Sequence, residues 1–160
     1  MSLIQGLSFS EKRILCADPF CSAEELSELV RDDNLWIRIF VAKNPGLSAE
    51  NIALLARDES DEVLWLIAQH PNASAKTLDF LAQKRYSPIR FEVARNRNTS
   101  SRTLCRLEND EDLCVRAAAK SNPNWGKSFQ LSLDEQLEIS QMMQTEKSVN
   151  LNSKTCGYVR

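Results

Sequence analysis

The side chains in this 160-residue chain best suited to proton transfer, nucleophilic attack or metal binding are one histidine, His70, and five cysteines. A zinc or iron–sulfur centre needs about four convergent ligands. Cys16, Cys21, Cys105, Cys114 and Cys156 are irregularly spaced, contain no C-x-x-C, and as an odd set do not resemble a secreted disulfide framework. The four glycines include no G-x-G, so a phosphate-cradling loop is not expected. Neither a nucleophile–base pair nor paired carboxylates emerge, and the expectation is a protein without catalytic, cofactor or metal residues.

His70 is better explained by its place in a pattern. The sequence repeats itself with a period of 26, and His70 shares a column with Asn44, Asn96, Asn122 and, one step back, Asp18. All are small polar residues suited to a helix end. The next column holds Pro45, Pro71, Arg97 and Pro123, and Pro19 before them. Two further columns carry charge: Arg38, Arg90 and Arg116, interrupted by Leu64, and Asp32, Asp58 and Asp110, six residues ahead. An acid recurring with the same period predicts an Arg–Asp ladder between adjacent repeats, since the guanidinium fork matches a carboxylate. The other reading of the Arg column is phosphate binding.

The elements that position these residues follow from the apolar columns. Ile37 with Val41 and Val63 with Ile67 are four apart, which makes the buried stripe of a first short helix. Proline ends that helix. Ser22, Ser48, Ser74 and Ser100 then offer N-caps to a second helix, with Ser22 and Glu25 in capping-box spacing. Ile52, Leu78 and Leu104, each followed three residues on by Leu55, Leu81 and Leu107, anchor that helix. Neither helix could bury its apolar side alone, whereas stacked copies can. The prediction is an all-α fold, an α-solenoid of four to five 26-residue two-helix repeats. Copies fall near 8–32, 34–58, 60–84 and 86–110, with a partial one at 112–126, so the array spans 1–126. Ser132 and Glu135 open a C-terminal capping helix within 127–144 that places Leu133, Leu137 and Met143 on one side. The polar segment 145–160 reads as a flexible tail.

The phrases IRIFVAKNP with IALLARD, VLWLIAQHP with LDFLAQK, IRFEVARNR with LCRLEND, and VRAAAKSNP resemble the leucine-rich repeat variant family across residues 10–124. The resemblance implies a right-handed superhelix of alternating α-helices and shorter, α or 3₁₀, helices, akin to HEAT and armadillo arrays. The founding member of that family has a Cys-rich iron–sulfur module ahead of its repeats. Here only Cys16 and Cys21 lie near the amino end, so the cluster is not carried over.

Two features exceed what a scaffold needs. On a helical wheel centred on Ile37 and Val41, residue 39 points about 200° away, which predicts an outward column of Ile39, Trp65, Phe91 and Ala117 beside Lys43, Gln69 and Arg95. Aromatics next to long polar side chains are the composition of a recognition surface, and solenoids bind extended partners along one face. The competing reading buries this column under a neighbouring helix. The second feature is charge: Lys84 to Arg106 carries seven basic residues against one acid, Glu92, in a chain of net charge −2.

The leading expectation is a non-enzymatic scaffold that binds a protein or peptide segment through Ile39, Lys43, Trp65, Gln69, Phe91 and Arg95. The alternative is nucleic-acid binding through Arg85, Arg90, Arg97 and Arg102, which the overall acidity opposes. Some HEAT-like repeat proteins attach or isomerise bilin chromophores, an enzymatic alternative that rests on fold analogy alone. An uncapped array end leaves a homodimer open. No run of eighteen apolar residues and no basic n-region before an apolar core occur, so neither a membrane span nor a signal peptide is expected and the cytoplasm is the expected location.

Overall fold

The structure, a computed structural model, describes Ile4 and residues 6–126. The chain divides into two compact units, Met1–Lys127 and Ser128–Arg160, and the described residues belong to the first. The capping helix expected over Ser132–Gln144 and the tail from Thr145 lie outside them.

Among the described residues the fold is all-α, with nine helices and no strand. Longer helices α1 (Phe9–Ala17), α3 (Leu35–Ala42), α5 (Asp61–Gln69), α7 (Ser87–Arg95) and α9 (Leu113–Ser121) alternate with α2 (Ala23–Leu29), α4 (Ala49–Leu55), α6 (Ala75–Leu81) and α8 (Ser101–Leu107). The short helices are α-helical throughout their seven residues rather than 3₁₀. Each starts at the expected serine: the hydroxyls of Ser22, Ser48, Ser74 and Ser100 accept the amide three residues on, and Ser22 completes its capping box with Glu25. Ser8 and Glu11 form a second capping box at α1.

Each long helix packs against its counterpart 26 residues away, α1 on α3, α3 on α5, α5 on α7 and α7 on α9. Every short helix rests on the long helices before and after it. Val41, Ile52, Val63, Ile67, Leu78, Leu81, Ile89, Val93, Leu104 and Val115 are completely buried between them. Removing a large side chain from such a core costs roughly 2–5 kcal/mol.

Two polar ladders tie successive helix pairs together. Asn44 donates its Nδ2 to the carbonyls of Cys16 and Asp18, both at 2.9 Å. Asn96 does the same to Ala68 (2.8 Å) and His70 (3.2 Å), and Asn122 to Ala94 (2.7 Å) and Asn96 (2.9 Å). The Oδ1 of each takes the amide two residues on, in Gly46, Asn98 and Asn124. Asp18, at the first position of the column, accepts the Phe20 amide but has no donor; no described helix pair precedes it to receive one. A parallel ladder starts two residues later. Asn72, Asn98 and Asn124 donate to carbonyl pairs at Pro45 and Leu47, Pro71 and Ala73, and Arg97 and Thr99. These bonds satisfy carbonyls of the last helical turns and the loops after them, which lack an intrahelical donor, and no buried side-chain nitrogen or oxygen among the described residues lacks a partner.

The Arg–Asp ladder is present. Arg38 chelates Asp58 (Nε 2.6 Å, Nη2 3.2 Å) while its Nη1 donates to the carbonyls of Asp32 and Asp33. Arg90 repeats this with Asp110 (2.7 and 2.8 Å) and the carbonyls of Lys84 and Arg85. Lys12 forms the first rung on Asp32 at 2.6 Å. Where Leu64 replaces arginine, Lys84 occupies the aspartate position, so both halves of one rung are exchanged together.

Candidate partner-binding face

His70 is buried with both ring nitrogens engaged. Its Nδ1 accepts the Asn72 amide at 3.1 Å, which fixes the neutral tautomer with the proton on Nε2, donated to the Asn44 carbonyl at 3.0 Å. No lone pair remains for a metal or a substrate proton. Burial pushes the Cys16 thiol up to about 11, and burial together with the Glu25 carboxylate 3.4 Å away pushes Cys21 up to about 12. Neither supplies a thiolate at neutral pH. No group of three or more His, Cys, Asp or Glu suited to a metal ion occurs among the described residues, and no helix there is long and apolar enough to cross a membrane.

The expected outward column divides. Ile39 is 2 % exposed and belongs to the core, which corrects its assignment to the recognition surface. The wheel assumes one buried stripe per helix, whereas α3 is flanked by α1 and α5 as well as by α2 and α4 and is covered on several sides. Trp65, at the same position of α5, is 36 % exposed, because an indole reaches beyond the neighbouring helices where a short branched side chain does not. Phe91 is half-buried against the core, and Ala117 is exposed. Lys43, Gln69 and Arg95 are all exposed at the ends of their helices, and the Gln69 Nε2 donates to the Trp65 carbonyl at 3.4 Å.

Arg95 is the centre of this face. Its guanidinium lies 5.6 Å from the Phe91 ring centroid, and its Nη1 sits 3.7 Å from Glu92. It also lines two concavities. One, of about 460 Å³, is largely apolar, with Phe91, Ala117 and Ala118 in its wall. The other, of about 470 Å³, is formed by Gln69, Pro71, Glu92, Arg95, Arg97 and Asn98. A third, of about 440 Å³, opens at the opposite ends of α5 and α7 between Trp65 and Tyr86.

The alternative basic patch loses its middle. Arg90 is 6 % exposed and fully spent on Asp110, Glu111 and two carbonyls, so it has no group to offer a phosphate. Arg106 pairs with Asp79 at 2.6 Å, and Lys84 lies over the Phe80 ring at 4.8 Å. Arg85, Arg97 and Arg102 are exposed, but they come from the loop before α7, the loop after it and α8. Sequence reasoning missed the second asparagine ladder, although Asn72, Asn98 and Asn124 keep the period, and it missed Glu92 as the partner of Arg95.

Neither a family model, nor a curated protein, nor a solved structure matches this chain.

Proposed function

We propose that this chain is a non-enzymatic α-solenoid scaffold that binds an extended protein segment along the face formed by α5, α7 and α9. The array reading is supported by hydrogen bonds that recur at offsets of 25 to 28 residues and by the stacking of each long helix on the next. Its architecture resembles the leucine-rich repeat variant type.

The observation that carries the binding reading is the Phe91–Arg95 stack between two concavities. Phe91 lies against one face of the guanidinium and Glu92 sits 3.7 Å from its Nη1, which leaves the remaining N–H groups for a carboxylate of the partner. Apolar side chains of the partner bury against Trp65, Phe91 and Ala117, Gln69 hydrogen-bonds its backbone, and Lys43 adds positive charge at the rim. None of these polar groups is needed for stacking, since the ladders already satisfy the buried loops.

Selection of random peptides displayed on phage against the whole chain tests the reading. The expected result is a family of peptides with apolar and acidic positions whose affinity falls more than tenfold in Arg95→Glu and in Trp65→Ala/Phe91→Ala, both checked for helical content. Enriched peptides that bind these variants as tightly as wild type would overturn it, as would capture of duplex or single-stranded DNA in place of peptides.

A further inference from the structure

We propose that the concavity between the N-terminal ends of α5 and α7 receives a positively charged side chain, guanidinium or ammonium, of the bound segment. The inference rests on the reading above and gives the partner its second recognition element. The wall consists of Asp61, Glu62, Trp65, Tyr86 and Pro88, around about 440 Å³. Trp65 and Tyr86 are 36 % and 50 % exposed and present the aromatic rings that attract cations. Asp61 and Glu62 are exposed, and among the described residues neither is within ion-pair distance of a lysine or arginine, whereas Asp32, Asp58, Asp79 and Asp110 are each engaged.

Stabilisation of the α5 N-terminus by acids in its first turn accounts for Asp61 and Glu62 alone. It does not account for Tyr86. The N-cap column holds Ser8, Asn34, Ser60 and Asp112 elsewhere, all capping types, of which Ser8, Asn34 and Asp112 accept a backbone amide; Ser60 makes no such bond, and Tyr86 has no side chain of the capping type. A position that gives up capping chemistry to expose a ring beside an indole and two carboxylates is spent on something outside the helix. Lys84 and Arg85 line the adjoining concavity with Asp61 and Tyr86; Lys84 is turned onto Phe80, and Arg85 is exposed.

The face therefore has a polarity. Acids and aromatics sit at the start of α5 and α7, and Arg95 and Arg97 at the end. A nine-residue helix is about 13 Å long, the span of roughly four residues of extended chain. The segment that fits carries a cation and an anion about that far apart.

The test titrates the ¹⁵N-labelled full chain at constant ionic strength with N-acetyl-arginine methylamide. The capped forms of lysine and trimethyllysine distinguish the cation, and capped citrulline and norleucine are neutral controls. Saturable shifts of the Trp65 indole N–H are expected with the cations and not with the controls. The shifts should weaken at least tenfold in Asp61→Asn/Glu62→Gln and persist in Arg102→Glu. Tyr86→Ser, which returns a capping residue to α7, should also lose binding without losing stability. Absence of a saturable shift, an equal shift with citrulline, or full retention in Tyr86→Ser would overturn the proposal. This readout uses single capped residues, so its failure leaves peptide binding at Arg95 standing, and loss of peptide binding leaves this readout intact.

Discussion

Residues 44, 70, 96 and 122 and residues 39, 65, 91 and 117 both recur at intervals of 26 along the same long helices or at their ends, yet the two columns behave in opposite ways. The first holds three asparagines and a histidine, all but Asn96 buried and each bonded to a carbonyl of the preceding helix pair. The second changes from Ile39 to Trp65, Phe91 and Ala117, of which the first is core, the second and fourth are exposed and the third is half-buried. A residue that recurs is meeting a demand that every repeat makes, here the unsatisfied carbonyls of the loop. A residue that varies is free of that demand. The Arg–Asp column sharpens the point, because its one interruption, Leu64, is matched by Lys84 at the acid's position, so what persists there is the compatibility of the pair.

The largest effect should come from breaking a rung. Arg90→Met leaves the buried Asp110 carboxylate without its guanidinium and should cost about 4 kcal/mol, read from urea unfolding at pH 7. The bond from Arg90 holds the Asp110 carboxyl below its usual range. A depressed folded-state pKa contributes stability that is present above the ordinary aspartate value near 4 and lost as pH falls through the folded value. Wild type should therefore lose more stability between pH 5 and pH 2 than Arg90→Met does, on a scale of roughly 1 kcal/mol per pKa unit. A parallel decline in both would mean the pair is not coupled.

Asn96→Leu should cost about 3 kcal/mol, since it strands the carbonyls of Ala68 and His70 and the Asn98 amide. His70→Asn should move the other way. His70 bonds the Asn44 carbonyl alone, whereas an asparagine in that column reaches two carbonyls, so a gain of about 1 kcal/mol in unfolding free energy is expected. A loss of stability would show that the histidine ring is needed for more than its place in the ladder.

Much of this was legible in the sequence because a repeat lists its own structural requirements. The period of 26 located the helices, the serine caps and the charged ladder without any contact being seen. Other features depended on how neighbours pack. Ile39 was misplaced because a wheel treats a helix as if it met one surface, and α3 meets several. Arg90 was ambiguous because a carboxylate and a phosphate ask the same of a guanidinium. The concavity at Trp65 joins residues more than twenty apart in sequence, and only the register of α5 on α7 brings Tyr86 and Pro88 beside it.

Arg95 and Asn96 are adjacent in the chain, one on the proposed binding face and one in the asparagine ladder, so unfolding free energy and affinity for a selected peptide, measured on Arg95→Glu and Asn96→Leu, separate the two roles. Arg95→Glu should stay within about 0.5 kcal/mol of wild type and lose binding more than tenfold, while Asn96→Leu should lose about 3 kcal/mol and, under conditions where it remains folded, keep its affinity. If stability and affinity fell together in both variants, or if Arg95→Glu bound as wild type does, the division between a structural spine and a binding face would be wrong.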